Sequence, residues 1–159
     1  MNQEFPILVS IHSECMTGYT LFCLRCDRGP QLEVTMVTLA SEGRGILLYL
    51  SQEGRGIGLF DKIKAYQLQE MGFDTVEGNR LLGLADDLCV YTLCKPMLEH
   101  FNIRSIKLLT NNPNKVKGLE ELEFQVARVD HTTHPNLFNE RYLETKASKM
   151  GHIFSDIES

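Results

Sequence analysis

The amino-acid sequence predicts a single α/β (mixed α+β) domain, and three observations carry that expectation. Short apolar runs suited to strands alternate with segments whose apolar residues recur at helical spacing. At least two of those strands lead into a polar loop and then a helix. No internal repeat, low-complexity stretch or Pro/Ser-rich linker divides the chain, so residues 1–159 are read as one domain. Hydrophobic residues make up 43% and charged residues 23%, as in ordinary globular proteins. At this length roughly two-thirds of the unfolded surface can be buried, enough for one core.

The elements follow in order. Pro6 to His12 is a short β-branched run and reads as a strand. Pro30 suits a helix start, Leu32, Met36 and Leu39 continue at helical spacing, and Gly43 stops them. Gly45 to Leu50 reads as a buried strand running into the glycine-rich loop Ser51 to Gly56. Leu59, Phe60, Ile63 and Tyr66 then mark a helix that ends near Gly72. Leu93 to Phe101 reads as a helix, and Ser105 to Leu109 as a strand ending in the turn Thr110-Asn111-Asn112-Pro113. A short helix, a strand over Phe124 to Val129 and a last helix around Asn139 to Met150 complete the chain.

Composition also excludes functions. Sixteen Lys and Arg against 21 Asp and Glu give a net charge of -5 with no basic run, which argues against a nucleic-acid partner. The longest apolar runs are far shorter than the ~20 residues that span a bilayer. No basic segment followed by an apolar one opens the chain, so the expected compartment is the cytoplasm. Five cysteines there are expected as free thiols or metal ligands rather than disulfides.

Three segments gather polar residues where a small ligand would be held. They are His12 to Cys15 with Cys23, Cys26, Asp27 and Arg28; the loop Gln52 to Gly56; and Thr110 to Lys115. A strand, a glycine-rich turn and a helix in succession aim backbone N–H groups at one point, which suits phosphate. His131 and His134 form an H-x-x-H pair with no acid or thiol beside it, in what reads as a loop.

The motifs His12-Ser13-Glu14-Cys15-Met16-Thr17-Gly18, Leu24-Arg25-Cys26-Asp27, Gln52 to Leu59 and Leu108 to Pro113 resemble those of the GTP cyclohydrolase II family. Lys64-Ala65-Tyr66, Asp74 to Glu77, Thr92-Leu93-Cys94 and Lys149 to His152 match as well, in the family's order and spacing. The resemblance implies the family's domain, shortened at its N-terminus, and an enzyme that opens the guanine ring of GTP. Formate and pyrophosphate leave in that reaction, the first step of riboflavin synthesis. It further implies zinc, magnesium with the nucleotide, and a homodimer. The nucleotide contacts it implies are Ser13, Glu14, Gln31, Glu53, Gly54, Arg55, Thr75, Thr110 and Lys115. Tyr66 would stand near the guanine ring and Asp87 would accept a proton.

Three positions depart from the family. Its zinc cysteines are spaced Cys, ten residues, Cys-x-Cys; Cys15 and Cys26 match the first two, and Arg28 stands third. Cys23, in Cys-x-x-Cys spacing with Cys26, is the candidate replacement, the alternative being a packed apolar thiol. Cys89 stands where the family carries an arginine directed at the α-phosphate, and is either a nucleophile of its own or a buried thiol. Ser10 replaces a further arginine for the triphosphate. Three functional expectations therefore stand side by side: a GTP cyclohydrolase II-like enzyme, a degenerate paralogue that binds a nucleotide or a partner without turnover, and an altered enzyme that keeps only part of the sequence of steps.

Overall fold

The structure, a computed structural model, describes residues 6–85 and 87–154. Asp86 and the two chain ends, including the start on which the absence of a signal was read, lie outside them.

Four strands form one parallel sheet in the order β2-β1-β3-β4. They are β1 (Ile7–Ser13), β2 (Gly45–Leu50), β3 (Ser105–Leu109) and β4 (Gln125–Val129). Strand β1 pairs with β2 from Leu8↔Gly45 to Ser13↔Leu50, and with β3 from Ile7↔Ile106 to Val9↔Leu108. All seven residues of β1 are buried, as expected for a central parallel strand covered on both faces.

The helices are α1 (Met16–Tyr19), α2 (Arg28–Glu42), α3 (Gly58–Glu70), α4 (Thr75–Leu81), α5 (Cys94–His100), α6 (Pro113–Glu120) and α7 (Glu140–Met150). Helix α2 starts two residues before Pro30, which sits in its first turn where the missing N–H costs nothing. Gly43, at φ 71°, ends it. Sequence periodicity did not single out α4. Its start is set by a capping box, in which Asp74 accepts the N–H groups of Val76 and Glu77 while Glu77 accepts that of Asp74. The one-turn α1 was also unforeseen.

The two faces of β1 differ in chemistry. Ile7, Val9 and Ile11 join Leu48, Leu50, Ile106, Leu108, Leu98 and Leu119 in the apolar core. Ser10 and His12 alternate with them and are equally buried, and His12 Nε2 meets the Tyr19 hydroxyl. The chain leaves β1 for β2 on one side and returns to β3 on the other. The strand order reverses there, at the carboxyl ends of β1 and β3, which is where open α/β sheets open a crevice for ligands.

Candidate functional site

The crevice at that reversal has two adjoining halves. In the first, Glu14, Cys15 and Cys26 meet the loop Glu53–Arg55 and one face of α3, with Thr75, Asn79 and Tyr142 closing it. In the second, Gln31, Asp87, Cys89, Thr110 to Asn112, Lys115, His131 and Lys146 gather. Arg28 and Arg55 line both.

The glycine-rich loop forms a short 3-10 turn, Glu53–Gly56, after β2. Gly56, at φ 91°, presses against Leu88; a Cβ there would lie 2.9 Å from its carbonyl oxygen. The Leu88 N–H donates to the Arg55 carbonyl at 3.0 Å, tying the loop to the Asp87–Cys89 segment. The Glu53 carboxylate accepts from Met16 N at 2.6 Å, Gly54 N at 2.9 Å and Lys62 Nζ at 2.8 Å. It holds the wall of the first half together. Gly54 follows it, and the Arg55 side chain reaches Met150 Sδ at 2.9 Å.

Lys62 was missed by sequence reasoning, although Tyr66 lies one helical turn beyond it on the same face. It is buried and donates to Cys15 Sγ at 3.0 Å, Thr17 Oγ1 at 2.7 Å and Glu53. Cys15 and Cys26 lie 3.6 Å apart, Sγ to Sγ, beneath Gly18, where a Cβ would press on the Cys15 sulfur at 3.1 Å. The hydrogen bond from Cys26 and the Lys62 ammonium pull the Cys15 thiol down to about 5. That same bond and burial push Cys26 up, so one thiolate is shared by the pair.

This donor set does not suit zinc. Catalytic zinc takes three protein ligands, and among the described residues no group of three or more His, Cys, Asp or Glu converges. Cys23 does not complete one; its N–H donates to the Thr17 carbonyl at 2.9 Å and its side chain is half-buried. Arg28 stands at the third position, and the Lys62 ammonium on Cys15 opposes a dication.

The second half is built on helix starts and strand ends. Asn112 caps α6 through Asn114 N at 2.9 Å, and Thr110 Oγ1 accepts from Asn112 N at 3.0 Å. Lys115 Nζ reaches across to the Ile11 carbonyl at 2.6 Å, drawing the ends of β1 and β3 together. Burial, with the neighbouring Arg28 charge, pushes the Lys115 ammonium down to about 7. Asp87 Oδ1 accepts the Cys89 N–H at 2.9 Å, and burial together with the Asp87 charge keeps Cys89 protonated. Burial also lowers the three histidines around this half: His12 and His152 to about 3 and His131 to about 4. They are neutral at physiological pH, so the positive charge is carried by Arg28, Arg55, Lys115 and Lys146.

Lys146 was likewise missed, though Tyr142, Lys146 and Met150 share one face of α7. Its ammonium donates to both Asp27 oxygens, at 2.8 and 2.9 Å, in a pair almost wholly buried. Burial alone would raise the Asp27 carboxyl, but Lys146 and Arg28 hold it below the usual range. Gln31 donates from its side chain to the same carboxylate, and its carbonyl accepts from His131 Nε2 at 3.0 Å. His131 is thus a structural neighbour of the crevice rather than half of a metal pair.

Of the remaining expected residues, Ser13 ends β1 in full burial, and the Glu14 N–H donates to the Leu50 carbonyl at 2.8 Å. Thr75 Oγ1 accepts from Gln69 at 3.3 Å. Burial raises the Tyr66 phenol, against a smaller lowering by the nearby Thr17 hydroxyl; among the described residues the Tyr66 hydroxyl and Asn79 Oδ1 are buried in the first half with no partner at full hydrogen-bond geometry. Such orphaned atoms are costly unless a ligand or water meets them.

Comparison with known proteins adds a family to this geometry. The family model described as GTP cyclohydrolase II matches residues 1–131. The GTP cyclohydrolase-2 of Azotobacter vinelandii is 56% identical over 153 residues, covering 96% of this chain and 74% of its own length. That of Colwellia psychrerythraea is 54% identical over 151 residues, 94% of this chain and 75% of its own. That of Saccharophagus degradans is 51% identical over 157 residues, 98% and 78%.

Proposed function

The chain belongs to the GTP cyclohydrolase II family, and from that premise we propose that its crevice binds GTP or a related purine nucleotide. The observation that carries this reading is the division of the crevice. One half gathers cations over the ends of β1 and β3, and the other offers buried polar atoms on Tyr66 and Asn79 that are unpartnered among the described residues. The base would lie toward Tyr66 and Thr75, and the phosphates toward Arg55, Thr110 and Lys115. Ser13, Glu14 and Gln31 stand at the same strand and helix ends, and Glu53 and Gly54 shape the loop between the halves.

The family reaction would open the guanine ring and release formate and pyrophosphate. For it, this chain supplies Tyr66, whose buried hydroxyl stays protonated and can donate to the base, and Asp87, a carboxylate beside the phosphate half. Cys89, held protonated, supplies no cation there. Magnesium would accompany the nucleotide as its counter-ion. Zinc enters no step, because its ligand set does not fit.

Arg28 at the third thiolate position favours a second reading, nucleotide binding without ring opening. Titration calorimetry with GTP, run beside an assay for formate, separates the two. Heat with formate supports the full reaction, heat without formate supports binding alone, and no heat from GTP removes both. The reading also carries a homodimer in the cytoplasm, and light scattering on the purified chain checks its mass.

No helix among the described residues is long and apolar enough to cross a membrane.

A further inference from the structure

Arg28 begins α2 and is half-buried between the two parts of the crevice. Among the described residues its guanidinium makes no direct hydrogen bond or salt bridge, and the carboxylate that acts on it through space is Asp27. The nearest carboxylate in sequence, Asp27, is already taken by Lys146 and Gln31. Across the cavity, Arg28 shares a wall with Cys89, Thr110 and Lys115. Cys89 stands where the family pattern places the α-phosphate arginine, and a thiol carries no such charge. A half-buried cation whose neighbouring carboxylate already pairs with Lys146 is short of counter-charge, so this arrangement favours an anion in the cavity.

We propose that Arg28 is a phosphate ligand: from the first turn of α2 it supplies the positive charge that position 89 lacks. The guanidinium fork matches two phosphate oxygens, and Lys115 contributes a second cation beside it. The substitution that removes a metal thiolate thereby adds an anion contact, and the crevice grips a polyphosphate through arginine. This rests on the nucleotide reading above and deepens it, naming a ligand residue that the family pattern does not contain.

The test is calorimetry on the full chain with three probes: pyrophosphate, GTP and guanosine. Arg28→Gln should weaken pyrophosphate and GTP by about tenfold to a hundredfold while guanosine changes less than twofold. Adding Cys89→Arg to Arg28→Gln should restore most of the lost affinity, since the charge returns to the same cavity. Should Arg28→Gln fail to fold, Arg28→Lys replaces it; that variant keeps the charge without the fork and should weaken the two phosphate probes only. Unchanged pyrophosphate affinity in Arg28→Gln overturns the proposal, as does an equal loss for guanosine, which would mark a structural role. Wild type that fails to bind pyrophosphate also overturns it. If that phosphate loss is absent while wild type still binds GTP and guanosine, Arg28 fails and the nucleotide reading stands. If pyrophosphate binds through Arg28 but GTP and guanosine do not bind, the nucleotide reading falls and the anion site remains.

Discussion

The two halves of the crevice treat charge in opposite ways. In the thiol half, Lys62 is matched by the Cys15 sulfur and the Glu53 carboxylate, with Thr17 completing its shell. In the other half, Arg28 has only the Asp27 carboxylate, which Lys146 already pairs, and Lys115 has a backbone carbonyl and a pKa already pushed down to about 7. A matched cluster keeps its shape without a ligand, because its buried ammonium already has its counter-charges. An unmatched one is poised for an anion. The contrast separates a charge-matched wall, against which the base would lie, from the half that would receive the phosphates.

The largest test converts a matched cation into an unmatched one. Asp27→Asn leaves the Lys146 ammonium buried without its carboxylate, and should cost about 3–5 kcal/mol of stability in urea unfolding. A loss below about 1 kcal/mol would mean that charge matching does not hold this region together.

A second test reverses the chemistry of the thiol half. Wild-type protein should purify with zinc well below one ion per chain, and Cys23→Ser should leave that content unchanged. Arg28→Cys, by supplying a third thiolate near Cys15 and Cys26, should raise zinc toward stoichiometry. Elemental analysis reads the result. Stoichiometric zinc in wild type that vanishes in Cys23→Ser would show that Cys23 closes the cage after all.

The receptor half should respond to pH. Lys115 is charged below about 7 and loses its proton above it, so its contribution to GTP affinity is present at low pH and fades as pH rises. The groups that set this value are Arg28 and Lys146, which lower it, and Cys89 and Asp87, which raise it. GTP affinity should fall by about tenfold between about pH 6 and 8.5, beyond any change seen in Lys115→Met. In Arg28→Gln the midpoint should move upward, because one repelling charge is gone. Identical pH profiles for wild type and Lys115→Met would remove Lys115 from the phosphate contacts.

The smallest effect lies outside both halves. Asp74→Ala removes the cap of α4 and its contact with Lys149, and should cost about 1 kcal/mol in the same urea assay. A neutral result would show that α4 is held by packing on α3 rather than by its capping box.

Much of this architecture is legible in the amino-acid sequence. Local rules suffice for the strand Gly45–Leu50, whose apolar run stops at a polar loop, and for α6, whose Asn112-Pro113 start carries its own cap. They also suffice for the sequence neighbours of the site, because Ser13, Glu14 and Cys15 follow one strand and Thr110 to Lys115 follow another. Lys62, Lys146 and the meeting of Arg28 with Cys89 are not legible in the same way. Lys62 and Cys15 are 47 positions apart and Lys146 and Asp27 are 119 apart. In sequence each lysine reads as an ordinary solvated charge on a helix.

The sequence alone determined a mixed α/β domain, the family resemblance and the three departures at positions 10, 28 and 89, since motif order and residue chemistry are one-dimensional facts. Tertiary structure alone decided what surrounds those departures. Parallel pairing brings the ends of β1 and β3 side by side, and helices from distant parts of the chain then close over them. Which cation is matched and which stands open depends on those long-range distances, because charges interact strongly only within a few ångströms of one another in a partly dry interior.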